Sequence, residues 1–262
     1  MKNRKHLAIA VAGLVCMGLL SPVASVAADT TTVTNDQNSF DTTQMVKKAK
    51  AFGCTIKVKG NCSRKKFPKN FDFQGADLTG MNFSGADLTG ADLSQATLDK
   101  VNFSGANLTG ADLSDVQSAR GANFSNTALR GANFDSGDFT KAIFTKAKAS
   151  RANLTDAIFS GATGANADFS YSDIGSADFS QANFKNANFS NATGIDAIFS
   201  DAQLVGANFR SAKFTAPDFS GANLTSADMT SSSIRLPDLD AADFCGAVLY
   251  DGFTPDDDCA NA

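Results

Sequence analysis

The 262-residue chain contains no Glu and no Trp, and its single His is His6. All 27 acidic residues are therefore Asp, and Pro is scarce, with 5 in total. A chain whose only His lies in the first ten residues cannot assemble a Ser-His-Asp triad, a Cys-His pair or a His-ligated metal site in its body. Without Glu it also lacks a common general base. What remains is 43% hydrophobic, 19% charged and formally −4. That composition is apolar enough to build a large core and is not that of a disordered chain.

The first 28 residues have the layout of a secretory signal peptide. Lys2, Arg4 and Lys5 form a positive start, Leu7 to Leu20 is apolar, and small residues surround Ala27 and Ala28. The apolar stretch is short of the about 20 residues that span a bilayer. The expectation is cleavage after Ala27 or Ala28 and export to the periplasm or beyond, or to the thylakoid lumen in a cyanobacterium. Cleavage removes three of 23 basic residues and no acidic one, leaving 20 against 27, or −7. The remaining chain is expected to hold no membrane contact and no specific nucleic acid. Four cysteines lie beyond the leader: Cys54, Cys62, Cys245 and Cys259. An even number in an exported chain points to two disulfides, with three connectivities open. Nearest-neighbour pairing, Cys54–Cys62 and Cys245–Cys259, is expected because the pairs flank the body of the chain at opposite ends.

That body is a repeat of period five. Large apolar residues fall at Phe73, Leu78, Phe83, Leu88, Leu93 and Leu98, slip by one residue near 118–121, and resume at Phe124. Seventeen of the 22 Phe residues sit at these centres. Ala usually stands two residues before the centre, Asp or Asn one before, Ser or Thr one after, and often Gly two after. Neither a helix nor a simple strand has this period. In extended backbone the centre and the Ala two residues earlier point the same way. A chain that buries both and bends after every fifth residue closes four sides in about 20 residues, and its rungs stack about 4.8 Å apart. Residues 20 apart then share a wall, which predicts a continuous ladder of Phe139, Phe159, Phe179, Phe199 and Phe219, followed by Leu239. Ala149, Gly164 and Gly194 at centres predict thin places in the core. The slip near 118–121 predicts a bulge at a corner.

Units such as Ala76-Asp77-Leu78-Thr79-Gly80, Ala106-Asn107-Leu108-Thr109-Gly110 and Ala222-Asn223-Leu224-Thr225-Ser226 resemble those of the pentapeptide-repeat family. The resemblance implies an all-β right-handed quadrilateral β-helix of about nine coils. The expected organisation is a leader over 1–28, a flexible segment over 29–42, an N-terminal cap over 43–70, the repeat over 71–253 and a tail over 254–262. Within the cap, 43–52 reads as a short helix and Thr55 to Lys59 as a strand running into a turn at Gly60-Asn61.

No catalytic residue, metal site or cofactor is expected. Asp72, Asp92 and Asp112, 20 residues apart, should form a carboxylate column that could hold a hard cation, although Asp in this slot already suits the bend. Ile158 and Ile198 break the polar rule in an outward slot and alternate there with Asp178 and Asp218, a candidate partner-binding stripe. Arg120, Arg130, Lys141, Lys146, Lys148 and Arg151 form a basic band. These features suggest a non-enzymatic exported binding or scaffold protein acting on an unidentified protein partner, of undetermined oligomeric state. Two alternatives stand beside it. Some members of the resembling family mimic DNA and inhibit enzymes such as gyrase. Some larger β-helices are exported polysaccharide hydrolases or lyases.

Overall fold

A computed structural model describes residues 53–234 and 242–249, which belong to one compact unit, Phe40–Ala262. Within it the chain is a right-handed quadrilateral β-helix. Parallel bridges join residues 20 or 21 apart along four walls. The first wall runs Asn61, Asn82, Asn102, Asn123, Ile143, Thr163, Asn183, Gln203, Asn223 and Asp243. The second begins at Lys66 and Asp87, the third at Asp72 and Asp92, the fourth at Asp77 and Thr97. Most contacts are single bridges, because each wall is only a few residues wide before the chain bends. Two three-residue strands occur on the third wall, β1 (Thr193–Ile195) and β2 (Lys213–Thr215), paired in parallel.

The repeat follows from where five amides find acceptors. In the unit Phe71–Gly75, the amide of Asp92 on the next rung donates to Phe71 O (2.9 Å), and Phe73 N–H donates to Asp92 O (2.7 Å). Gly75 N–H reaches Ser94 O (2.8 Å), and Ala76 N–H closes the corner onto Phe73 O (3.0 Å). One amide, that of Gln74, has no main-chain partner, and it donates to Asp72 Oδ1 at 3.0 Å. The same side-chain latch recurs at Asp77, Asn82, Asp92, Asn102 and Asp112. A buried or half-buried amide needs a partner, and Asp and Asn are the residues short enough to supply one two positions on. The corner residue after the latch takes left-handed backbone, φ 64° at Gly75, 57° at Asn126 and 59° at Lys141. Gly adopts this freely and Asn tolerates it.

The Phe ladder forms on the fourth wall. Rings of Phe139, Phe159, Phe179, Phe199 and Phe219 stack at 5.4, 4.9, 5.1 and 4.9 Å. Leu239 lies outside the described residues. Two further ladders arise, Phe83–Phe103–Phe124–Phe144 on the first wall and Phe169–Phe189–Phe209 on the second. The thin places are filled from the adjacent rung. A Cβ on Gly164 would overlap the Phe184 ring, and one on Gly194 would lie 2.9 Å from Ile174 Cγ1. At the second of these rungs the corner also opens, and on the rung above Pro217 supplies no amide to close it.

Three local readings differ from expectation. The slip is a bulge within the fourth wall, not at a corner. Gln117 N–H donates to Ala96 O while Ser118 O accepts from Leu98 N–H, so two residues oppose Thr97. Ala119 therefore takes the buried centre and Ser118 the outward slot before it. Asp99 secures the bulge by accepting from Ser118 Oγ (2.5 Å) and Arg120 N–H (2.9 Å). Second, bridged rungs reach back to Asn61 and Lys66, ahead of the expected start at Phe71. An extra residue between Phe67 and Phe73 broke the period there, and Cys62 is a small centre. Third, Thr55 to Lys59 is not a strand. The turn precedes Gly60, whose amide donates to Lys57 O at 2.7 Å, and Asn61 is already paired with Asn82. The expected helix over 43–52 and the tail over 254–262 lie outside the described residues.

Two predictions follow from these contacts. Gly164→Leu makes the repeat more regular yet drives a side chain into Phe184; it should lower stability by about 1–3 kcal/mol, read as a reduced Tm that Phe184→Leu partly restores. The second concerns pH. A hydrogen bond from the Thr79 hydroxyl, with the Thr79 amide, lowers the Asp77 carboxyl below the ordinary range. The Thr89 hydroxyl, helped by Lys66 and Lys69, does the same to Asp87 despite partial desolvation. Groups lowered in the folded state stabilise above their unfolded pKa, near 3.9 for Asp, and lose that contribution as pH falls through the folded value. Thermal stability should therefore hold above about pH 5 and decline below about pH 4. Asp77→Asn/Asp87→Asn, which keeps both latches, should flatten that decline.

Candidate functional site

The stripe on the fourth wall forms as one column. Bridges link Asp138 to Ile158, Ile158 to Asp178, Asp178 to Ile198 and Ile198 to Asp218. The stacked rings of the Phe ladder lie directly behind it, so the four side chains sit on a stiff backing. Asp178 and Asp218 act as latches for Ser180 (2.8 Å) and Ser220 (2.9 Å). Ile158 and Ile198 cannot, and the amides of Ser160 and Ser200 find no acceptor among the described residues. Ile158 is 40% exposed, and Ile198 is half-buried.

A second feature was missed in the sequence. On the third wall, Thr155, Asp156, Asp173, Gly175, Ser176, Thr193, Gly194 and Ile195 line a shallow open groove of about 420 Å³. It exists because Gly175 replaces the usual Ser or Thr after a centre, Gly194 replaces a large centre, and the corner beyond Ile195 is open. Ile195 is 61% exposed at its rim. The signal was legible in principle: Gly175 and Ile195 break the same polar slot on successive rungs.

Asp72, Asp92 and Asp112 are bridged into the expected column. Each carboxylate is engaged at its own corner, accepting from Gln74, Ser94 and Ser114 amides at 3.0 Å. Ser94 Oγ also donates to Asp92 (2.6 Å), and Asn133 Nδ2 to Asp112 (3.1 Å). Among the described residues no cluster of His, Cys or Asp is placed to hold a metal ion. The basic band divides: Arg130, Lys148 and Arg151 fall on the second wall, with Lys146 at its corner, whereas Arg120 and Lys141 lie on the fourth. The Arg151 guanidinium rests 5.6 Å from the centroid of the exposed Tyr171 ring. Cys54 and Cys62 sulfurs stand 2.11 Å apart, at the end of the core near Ile56 and Met81. Cys259, the expected partner of Cys245, lies outside the described residues. No described helix is long and apolar enough to cross a membrane.

Comparison with known proteins places this architecture. The family described as Pentapeptide repeats matches in 8 copies, over residues 76–115, 118–145, 150–186, 172–210, 195–230 and 207–251. No curated protein matches the chain. Among solved structures, HetL, a pentapeptide repeat protein involved in heterocyst differentiation regulation from the cyanobacterium Nostoc sp. strain PCC 7120, is 24% identical. That alignment covers 74% of this chain and 91% of HetL, with a TM-score of 0.39. QnrB1, a plasmid-mediated fluoroquinolone resistance protein, is 23% identical over 70% of this chain and 88% of its own, with a TM-score of 0.28. A pentapeptide repeat protein from the Arabidopsis thaliana thylakoid lumen is 26% identical over 52% and 70%, with a TM-score of 0.17. The family match spans well over half of the sequence, and the chain belongs to the pentapeptide-repeat family.

Proposed function

We propose that this chain is an exported, non-enzymatic binding or scaffold protein whose fourth wall meets a protein partner through Ile158, Asp178, Ile198 and Asp218. The observation that carries the reading is the loss of two latches. Asp or Asn at 158 and 198 would satisfy the Ser160 and Ser200 amides, as Asp178 satisfies Ser180. Ile instead leaves those amides without a protein acceptor and turns an aliphatic side chain outward on rungs that gain nothing locally. A local cost without a local return is what an interface residue looks like. The alternating carboxylates add polar recognition beside the aliphatic contacts, and the rigid wall presents all four without ordering cost. The leader layout and the cysteine count support export.

The DNA-mimic reading is weakened by that leader and by the cations on the second and fourth walls. The groove beside Asp156 and Asp173 keeps a polysaccharide-active hydrolase or lyase as a second reading. Turnover of a carbohydrate substrate that Asp156→Asn/Asp173→Asn abolishes would establish it in place of the first.

Ile158→Asn/Ile198→Asn should restore both latches. The expected outcome is an unchanged or higher Tm together with loss of the partner captured by the wild-type protein from the exported fraction. Identical capture by both proteins overturns the stripe. Fractionation and N-terminal sequencing test export separately: a cytoplasmic protein retaining Met1 overturns that part.

A further inference from the structure

The net charge of the chain conceals a strong transverse segregation. The first wall carries no Asp from Gly60 through Ser226, nine successive rungs, although the chain holds 27. The opposite, third wall carries Asp72, Asp92, Asp112, Asp115, Asp135 and Asp156 on its lower rungs. The first wall is also flat, because its outward slots are short: Asn61, Asn82, Asn102 and Asn123, each latching the Ser two residues on.

Both edges of this wall carry cations. The corner shared with the fourth wall alternates, rung by rung, Lys59, Gly80, Lys100, Gly121, Lys141, Gly161. Each Lys stem leans over the Gly of the rung above. A Cβ at Gly80 would lie 3.1 Å from Lys59 Cγ, and one at Gly161 would lie 3.4 Å from Lys141 Cγ. Two long side chains on adjacent rungs would collide, and the alternation spaces the ammonium groups two rungs apart, about 10 Å, near a Debye length. The other edge carries Arg64 and Lys146. None of Lys59, Arg64, Lys100, Lys141 or Lys146 has an ion-pair partner among the described residues, whose two salt bridges are Lys66–Asp87 and Arg210–Asp228. Between Lys141 and Lys146 on a single rung, half-buried Ile143 replaces the latch residue and faces outward.

From this we infer that the first wall is a docking face for an anionic lipid bilayer surface. The long cationic arms project beyond short, uncharged Asn and Ser, so a planar anionic partner meets both rails at once and Ile143 at the centre. A single polymer strand would engage one rail only. Asp201, on the corner shared with the fourth wall two rungs above Gly161, and Asp243, on the last described rung, stand clear of the stretch from Lys59 to Lys146, which no carboxylate interrupts. Total charge alone argues for no membrane contact, as expected from the sequence, but attraction is set by the charges that face the surface. Seated this way, the acidic third wall points away and the Ile stripe on the fourth stays open, so this docking is independent of the partner proposed above.

The test is co-sedimentation of the mature protein with vesicles of phosphatidylcholine alone or with added phosphatidylglycerol. Binding is expected only to the anionic vesicles, and to disappear at about 0.5 M salt. Lys100→Gly/Lys141→Gly/Lys146→Gly uses a residue that fills the same corners on other rungs, at Gly80, Gly121 and Gly161 on one edge and Gly85, Gly105 and Gly206 on the other, so the fold is kept. It should weaken binding roughly a hundredfold, at about fivefold per cation near an anionic surface. Lys100→Asp/Lys141→Asp, placing there a residue that their corner accepts at Asp201 (φ 57°), should abolish it. Asp115→Gly/Asp156→Gly on the third wall should leave it intact. Equal binding to both vesicle types, no binding to either, or full binding by the triple Gly variant overturns the proposal. So does tighter binding to heparin than to the anionic vesicles, which would assign the wall to a soluble polyanion.

Discussion

Each pentad leaves one amide without a main-chain acceptor, and much of the molecule is organised by that shortfall. Four amides per unit are consumed by the neighbouring rungs and the corner. The fifth points outward at the residue after the centre, and where Asp or Asn stands two positions earlier its carboxylate or carboxamide meets it. Only a side chain one methylene long closes this ring comfortably. That gives a physical reason for an acidic complement made wholly of Asp, and for Asn as its uncharged alternate. A large share of the polar surface is therefore structural. The Asp72–Asp92–Asp112 column, which invites a reading as a cation site, is a run of corner latches.

Departures from the latch are informative because the rule has a cost attached. Ile143, Ile158 and Ile198 forgo a hydrogen bond and expose methyl groups. Thr127 and Ser172 depart in the opposite sense: they stand in the inward small-residue slot and satisfy their hydroxyls on Phe103 O and Phe169 O. The first group has no compensation within the described residues, and the second group does. The proposed contact faces rest on this difference.

The period of five, the inward pair and the Phe139–Phe219 ladder were legible in the sequence, because alternation in extended backbone and a 20-residue return leave few other ways to bury those rings. The rungs at Asn61 and Lys66 were hidden by a basic composition, a small centre at Cys62 and the extra residue before Phe73. The placement of the bulge depended on the Asp99 contacts with Ser118 and Arg120, which join residues on different rungs. The Ile158–Ile198 stripe was visible as soon as residues were read 20 apart. The groove was not, since it comes from the joint effect of Gly175, Gly194 and an open corner. The lateral separation of charge also escaped a linear reading. It appears only when residues are sorted by wall.

The four-sided winding also constrains how such a chain can change length. Inserting or deleting 20 residues adds or removes a whole rung, and every later side chain keeps its compass bearing. Inserting five preserves the core equally well yet swings everything downstream through a quarter turn, so that a basic flank continues as an acidic one. The molecule would remain folded and lose the agreement between its lower and upper halves about which side faces what.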